Sequence, residues 1–315
     1  MLQTRANVRL KKRKKIFQKE DAALYLMALP TLIYLLIFCY VPMGGLVMAF
    51  QDLNITKGIF RSPYVGLKNF EFLFRTTDAW VITRNTVCYN LIFIVVNLII
   101  SISLALMLSS LRSGGYAKTM QTIYMMPYFL SYAVVAIVAN AFLDRDNGLV
   151  NSILRLMGEP GKTNWYHQLR IWPPLSVFVN AWKNVGYQTV LYLAVISGIS
   201  VDYYEAAVLD GATKFQQACY ITLPHLRYIV GISLILSMSS IFRGDFGLFY
   251  NVPMNSGKIY PVTDVIDTYI YRSLTYLNNV GMSTAAGLYQ SVVGFVLVLV
   301  VNKIVNRIDP DSAMF

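Results

Sequence analysis

The sequence predicts an all-α membrane protein with six transmembrane helices and further amphipathic helices in its external loops. Three observations carry that prediction. Of 315 residues, 56% are hydrophobic and 14% charged, whereas soluble domains carry about a quarter charged residues. The mean hydropathy is +0.50. The uncharged stretches are continuous rather than alternating with a period of two, which sets them apart from the strands of an outer-membrane barrel.

Charges divide the chain into six long uncharged windows, 22–51, 85–111, 119–143, 184–201, 228–242 and 273–302. A spanning helix needs roughly 20 apolar residues to cross about 30 Å of hydrocarbon. The fourth and fifth windows, of 18 and 15 residues, fall short. Spans are expected at about 24–50, 85–111, 119–143, 176–200, 225–243 and 280–304, within one transmembrane domain covering 21–315.

Residues 1–20 form a basic arm. Arg5, Arg9, Lys11, Lys12, Arg13, Lys14, Lys15 and Lys19 are eight of the 27 basic residues. A free basic run would suggest nucleic acid, but this one directly precedes a span. The positive-inside rule places it in the cytoplasm against anionic membrane lipid, and nucleic acid is not an expected partner. The apolar run that follows is too long for a signal peptide and lacks a small-residue cleavage pattern, so it should remain an anchor. Six crossings then return the C-terminus to the cytoplasm. With the arm included the two sides hold 14 and 13 basic residues, so the arm alone sets this orientation.

External loops follow at roughly 52–84, 144–172 and 243–275. In the first, Val65 to Phe70 with Phe72, Leu73 and Phe74 suggests a short amphipathic helix at the outer interface. In the second, residues 148–158 have a helical pattern closed by Gly158 at a plausible C-cap. The loops can cover the bundle or receive a substrate-delivery protein.

Between the fourth and fifth spans lies a polar interlude, the cytoplasmic loop 201–224. Asp202 and Glu205 fit an N-cap and N3 pair that would start a helix near Tyr203. Ala206 and Ala207 keep one face thin. Gly211 allows a bend that a Cβ would resist. A second helical stretch can run from Ala212 to Tyr220, with Pro224 in the first turn of the next span, where its missing N–H costs little. Such a bent pair is a lever wired into two membrane helices, although an ordinary helical hairpin would share these features.

The two short spans flank this loop. Counting from the inner interface brings Arg243 and Asp245 to membrane depth at the end of the fifth, and counting back from Asp202 brings Lys183 there in the fourth. Ionisable groups at depth usually face a partner or a watery cavity; snorkelling to the headgroups is the alternative. Asn180, Asn184, Tyr187 and Gln188 surround Lys183 in sequence, so these seven residues are the candidate substrate pathway.

Other chemistry is not indicated. Cys39, Cys88 and Cys219 have no disulfide or metal spacing and read as buried inert thiols. His167 and His225 are the only histidines, and no catalytic set accompanies them. No Gly-x-x-x-x-Gly-Lys-Ser/Thr phosphate loop occurs. The spans contain almost no carboxylate, which counts against the ion relay of a secondary transporter.

In its run Glu205, Ala206, Ala207, Asp210, Gly211, Ala212, and then Ile221, Leu223 and Pro224, the loop resembles the EAA loop of binding-protein-dependent ABC importer permeases. In Tyr25–Pro30, Tyr40–Leu46, Asp264–Tyr269 and Ala285–Gly294 the chain is similar to the polysaccharide or complex-oligosaccharide branch of carbohydrate permeases. The resemblance implies the type I importer fold and a non-enzymatic transport subunit, with those loop residues docking an ATPase. It implies a second homologous permease, two ABC ATPase subunits and an extracellular solute-binding lipoprotein as partners. ATP and Mg would be bound by the ATPase subunits, and this chain would hold no cofactor. The cargo would be oligosaccharides or polysaccharide fragments, which amides, cations and aromatic faces suit. Arg243 and Lys183 together would tolerate uronates. Another solute class, or secondary transport, is the alternative.

Overall fold

The computed structural model describes residues 19–54, 56–111 and 114–308. Arg5 to Lys15 of the basic arm lie outside these residues, and Lys19 opens the first helix. Among the described residues there is no strand beyond an isolated antiparallel bridge between Gln51 and Tyr64. The chain divides into two compact units, Met1–Val47 and Met48–Phe315.

The first unit is built on the apolar helix Lys19–Leu35, with Pro30 inside it. It continues as a π-helical turn, Leu36–Tyr40, in which the Val41 N–H donates to the Leu36 carbonyl. Every residue from Leu24 to Gly44 is exposed. The apolar run Leu24–Phe50 holds 27 residues, long enough to cross a bilayer.

In the second unit, the second span runs from Asp78 to Ser109, 32 residues. It starts seven positions before the expected 85, because charged residues at its N-terminal end interrupt a charge-free window without interrupting a helix. Before it, the predicted interfacial helix is a 3-10 turn, Lys68–Phe70, followed by Glu71–Arg75. Ile82, Thr86, Tyr89, Phe93, Asn97, Ser101, Ala105 and Leu108 are buried along one stripe of the second span. Their three- and four-residue spacing places them on one helix face. This face packs on the fourth span, Trp172–Ser197. Asn97 Nδ2 donates to Asn180 Oδ1 at 2.9 Å and Ser101 Oγ to the Val185 carbonyl at 3.2 Å. Small and polar residues let membrane helices approach closely and hydrogen-bond across the seam.

The third span corrects the expectation of one helix over 119–143. Gly114–Phe129 and Tyr132–Leu143 are two helical limbs bent by 97°. Pro127 sits in a closing 3-10 turn, and extended Ser131 caps the second limb by accepting from the Val134 N–H. Both residues are uncharged, so the window conceals the break.

The fourth span likewise turns by 73° into the loop helix Val201–Leu209. The fifth runs from Lys214 to Ser239 through a second π-helical turn, Ala218–Thr222. The continuous helix is thus 26 residues long, its first part Lys214–Thr222 being the second stretch of the loop. It ends at Ser239, before Arg243. The sixth helix covers Val280–Ile308. Between fifth and sixth, Phe246–Asn251, Tyr260–Thr263 and Ile266–Thr275 form a layer of short helices. Phe249 of this layer packs with Tyr89 and Phe93, and Tyr269 stacks on Phe72.

In the loop between the third and fourth spans, Leu149–Leu156 is helical as predicted. Gly158 has φ +88°, and Glu159 N donates to the Leu154 carbonyl, which closes the helix in a Schellman turn. The thiols depart from expectation: Cys39 and Cys88 are exposed and Cys219 partly so. The outer faces of spanning helices are apolar, so an apolar neighbourhood in sequence does not imply burial within the chain.

Candidate functional site

The loop between the fourth and fifth spans is a rigid helical pair. Its first helix begins at Val201, not near Tyr203, because Ser200 Oγ rather than Asp202 caps it, accepting from Asp202 N at 3.3 Å. Gly211 has φ +79°, a left-handed conformation that favours glycine. Gly211 N donates to the Val208 carbonyl and Ala212 N to the Ala207 carbonyl, a second Schellman closure.

The second stretch starts at Lys214 rather than Ala212. Thr213 and Gln216 form a capping box, with Thr213 N donating to Gln216 Oε1 at 2.7 Å. It joins the fifth span without interruption. Tyr204 and Thr222 hydroxyls meet at 3.0 Å, and the Tyr203 ring lies 5.9 Å from that of His225. The loop helix is therefore bolted to the span that follows it.

Of the predicted docking residues, Glu205, Ala206, Asp210, Gly211, Leu223 and Pro224 are exposed, while Ala207, Ala212 and Ile221 are partly buried. Sequence reasoning missed Leu209, 89% exposed, and Phe215, 77% exposed, which present apolar surface on the same loop. Exposed apolar surface framed by polar residues marks interaction sites.

The seven pathway candidates are not one cluster. Asn180 is buried against Asn97, Asn184 Nδ2 donates to the Asn180 carbonyl, and Gln188 Oε1 accepts from Ser101 Oγ at 3.3 Å. Lys183 is 8% exposed. Its Nζ donates to the Tyr128 carbonyl at 2.8 Å and to the Leu130 carbonyl, both at the break of the third span. The same ammonium lies 5.0 Å from the Tyr132 ring centroid. The Tyr132 hydroxyl donates to Asp245 Oδ2, and Asp245 Oδ1 caps Phe246–Asn251. Tyr132 therefore brings Lys183 and Asp245 together.

Tyr187 points outward and stacks on Tyr128, centroids 4.9 Å apart at 13°. Arg243 is exposed and stands apart: its carbonyl accepts from Asn90 Nδ2 at 2.8 Å. Beside it, burial pushes the Asp267 carboxyl above the usual range. Bonds from Gly244 N and Gln290 Nε2 and the charge of Arg243 oppose this. Sequence reasoning missed Tyr128 and Tyr132; the Pro127 and Ser131 punctuation was their available signal.

At the short helices between the fifth and sixth spans, a cavity of about 550 Å³ is lined by residues including Asp78, Tyr260, Asp264, Tyr269, Arg272 and Tyr276. Arg272 pairs with Asp264 and lies 3.8 Å from the Tyr260 ring centroid. Burial pushes the Asp264 carboxyl up despite that guanidinium. No group of three or more metal-ligating acids, histidines or cysteines occurs among the described residues.

Comparison with known proteins places this geometry. The chain is 32% identical to protein LplB of Bacillus subtilis (strain 168) over 299 residues, 93% of this chain and 92% of that protein. It is 32% identical to the polygalacturonan/rhamnogalacturonan transport system permease protein YteP of the same organism over 303 residues, 96% of this chain and 94% of that one. Its structure is similar to a chain of a bacterial ABC transporter involved in import of the acidic polysaccharide alginate. There the TM-score is 0.82, with 34% identity over 92% of this chain and 97% of that one. A second structure, that transporter in complex with an alginate pentasaccharide-bound periplasmic protein, gives a TM-score of 0.81, also at 34% identity, over 92% of this chain and 96% of that one. The pattern of binding-protein-dependent transport system inner membrane components matches residues 97–310, from the middle of the second span through the bent helix pair to the sixth. Matched over most of its length by this pattern and by these relatives, the chain belongs to that family of ABC importer permeases.

Proposed function

We propose that this permease carries oligosaccharides or polysaccharide fragments into the cytoplasm by alternating access, driven by ATP hydrolysed on separate subunits. The observation that carries the reading is the exposed loop helix, which leaves its span at 73° and returns through Gly211 directly into the next. A force on that pair acts on the fourth and fifth spans together. Glu205, Ala206, Ala207, Asp210, Gly211 and Ala212 form the ATPase-docking surface, extended by Leu209 and Phe215, with Ile221, Leu223 and Pro224 at its root. The partners are a second homologous permease, two ABC ATPases binding ATP and Mg, and an extracellular solute-binding lipoprotein. Both termini lie in the cytoplasm.

Tyr187, backed by Tyr128, offers an aromatic wall to sugar rings, with Asn184 and Gln188 beside it. Asn180, Lys183 and Asp245 support that wall from within. Arg243, exposed and with its backbone held by Asn90, suits a uronate carboxylate. Similarity to proteins named for polygalacturonan, rhamnogalacturonan and the acidic polysaccharide alginate supports this substrate class.

The test is co-purification of wild type, Gly211→Asp and Glu205→Lys with candidate ATPase and permease partners, followed by uptake of uronate-containing and neutral oligosaccharides into proteoliposomes. Wild type should retain the ATPase and the loop variants should lose it while still binding the second permease. An ATPase that stays with both variants would remove the docking assignment.

A further inference from the structure

We propose that Lys183 is a positioning residue of the transport route, holding the break of the third span so that the Tyr128–Tyr187 ring pair is presented to substrate. The proposal rests on the reading that Tyr187 lines that route. A lysine at membrane depth is expected to meet a carboxylate, a watery cavity or the headgroups. Lys183 makes no direct ion pair among the described residues: its ammonium bonds the Tyr128 and Leu130 carbonyls, and the nearby Asp245 carboxylate is joined to it through Tyr132, whose ring lies against the ammonium and whose hydroxyl bonds Asp245.

Those two carbonyls are acceptors that the break has released. In an unbroken helix they would accept from the amides of Tyr132 and Val134. Instead Leu130 is extended and Val134 N donates to Ser131 Oγ. Bare carbonyls inside a lipid-embedded bundle are costly because no water reaches them, and a cation with three donors answers both. The positive charge is thereby committed to main-chain dipoles rather than left for a substrate carboxylate.

The geometry extends from there to the rings. The Tyr128 carbonyl is bound by Lys183 while its ring stacks on Tyr187, four residues along the same helix as Lys183. Between them Gly186 presses on the first limb of the third span, where an added Cβ would lie 1.9 Å from the Tyr124 carbonyl oxygen. On the second limb Tyr132 packs against the ammonium and bonds Asp245. One face of the fourth span thus grips both limbs of the bend, and the stacked rings emerge at its edge with Tyr187 49% exposed.

The test uses the complete transporter in proteoliposomes with its binding protein and oligosaccharides of equal length, one neutral and one uronate-containing. Lys183→Met, Lys183→Arg, Tyr187→Ala and the double variant Lys183→Met/Tyr187→Ala are compared. Displaced rings should raise the half-saturating concentration about tenfold or more for both substrates alike. Lys183→Arg, which retains the donors, should recover most of the loss, and the double variant should be no worse than the worse single. Lys183→Gln gives the same comparison should the methionine variant not assemble. Selective loss of the uronate substrate, or losses that multiply in the double variant, would overturn the proposal. If Tyr187→Ala transports normally, the route reading fails and takes this inference with it. If Tyr187→Ala is impaired and Lys183→Met is not, only this inference fails.

Discussion

Gly186 and Tyr124 are in backbone contact: a Cβ built on Gly186 falls 1.9 Å from the Tyr124 carbonyl oxygen and 2.9 Å from Met125 N. Both neighbouring groups are main chain, so no side chain can swing away to make room. The third and fourth spans are therefore set at a separation that only hydrogen at this position permits. Gly186→Ala should destabilise the detergent-solubilised protein by about 1–3 kcal/mol, the usual range for an overpacked interior, and Gly186→Val by more. Thermal unfolding of the purified chain checks this; an alanine variant as stable as wild type would show that the spans are free to separate.

At Gly211 the constraint differs in kind, because an added Cβ there meets nothing within 4 Å. Only the left-handed backbone resists substitution. Gly211→Val should weaken ATPase retention, and Gly211→Asn, which tolerates that conformation, should retain far more. The expected difference is about 1–2 kcal/mol of local strain. Equal retention by the two variants would mean that the turn does not matter to docking.

Leu209 and Phe215 stand out on the loop as exposed apolar side chains. Truncating a central anchor in an interface costs about 2 kcal/mol or more. Leu209→Ala and Phe215→Ala should each lower ATPase affinity roughly 30-fold on that scale, without lowering the unfolding temperature of the isolated permease. Binding measured against immobilised ATPase distinguishes the two effects.

The Asp264–Arg272 pair is largely buried, at 9% and 15% side-chain exposure. Removing one partner of such a pair costs about 3–5 kcal/mol, because the other charge is left unanswered. Arg272→Met should therefore lower thermal stability sharply, and Asp264→Asn/Arg272→Met should recover part of the loss. A double variant no better than Arg272→Met would show that packing of the guanidinium on Tyr260, rather than the uncompensated carboxylate, dominates.

Burial raises the folded-state pKa values of Asp264 and Asp267 above the usual carboxylate value. The folded chain therefore binds more protons than the unfolded one between the unfolded and folded pKa values. The resulting stabilisation is fully present below the unfolded value of 3.8 and is lost as pH rises through the raised folded values. In Asp267→Asn a single Oδ1 can still accept from Gly244 N and Gln290 Nε2 while the buried charge is gone. This variant should be more stable than wild type at pH 7 and show a shallower decline from acid to neutral pH. Thermal scans across that range would refute the assignment if the two profiles ran parallel.

How far the fold and the site are legible in the chain depends on whether a feature is written locally. Charge-free windows locate spans because the cost of transferring charge into hydrocarbon outweighs every other term. The same windows conceal the bend at Leu130–Ser131, whose cause is a proline and a serine cap with no charge at all. Glu205, Ala206, Ala207 and Gly211 identify the loop through their resemblance to the EAA loop, since a bend and a thin helix face alone would equally suit an ordinary hairpin. Its start is misplaced because Asp202 is an equally good cap by composition, and only the backbone shows Ser200 in the cap position. The environment of Lys183 is beyond reach: its two carbonyl acceptors lie 55 and 53 residues away, and main-chain oxygens leave no trace in a sequence.

The π-helical turn Ala218–Thr222 at the root of the loop pair can be regarded as one surplus residue held inside an otherwise regular helix. Deleting a single residue there would let the ordinary register close up. Everything N-terminal to it would then be turned by roughly 100° about the helix axis relative to Leu223–Ser239. Leu209, Glu205 and Phe215 would face a different azimuth with no change in their own sequence. The surplus residue thus sets the heading of the loop independently of its composition, and two permeases with identical loops but different registers would present them to different quarters.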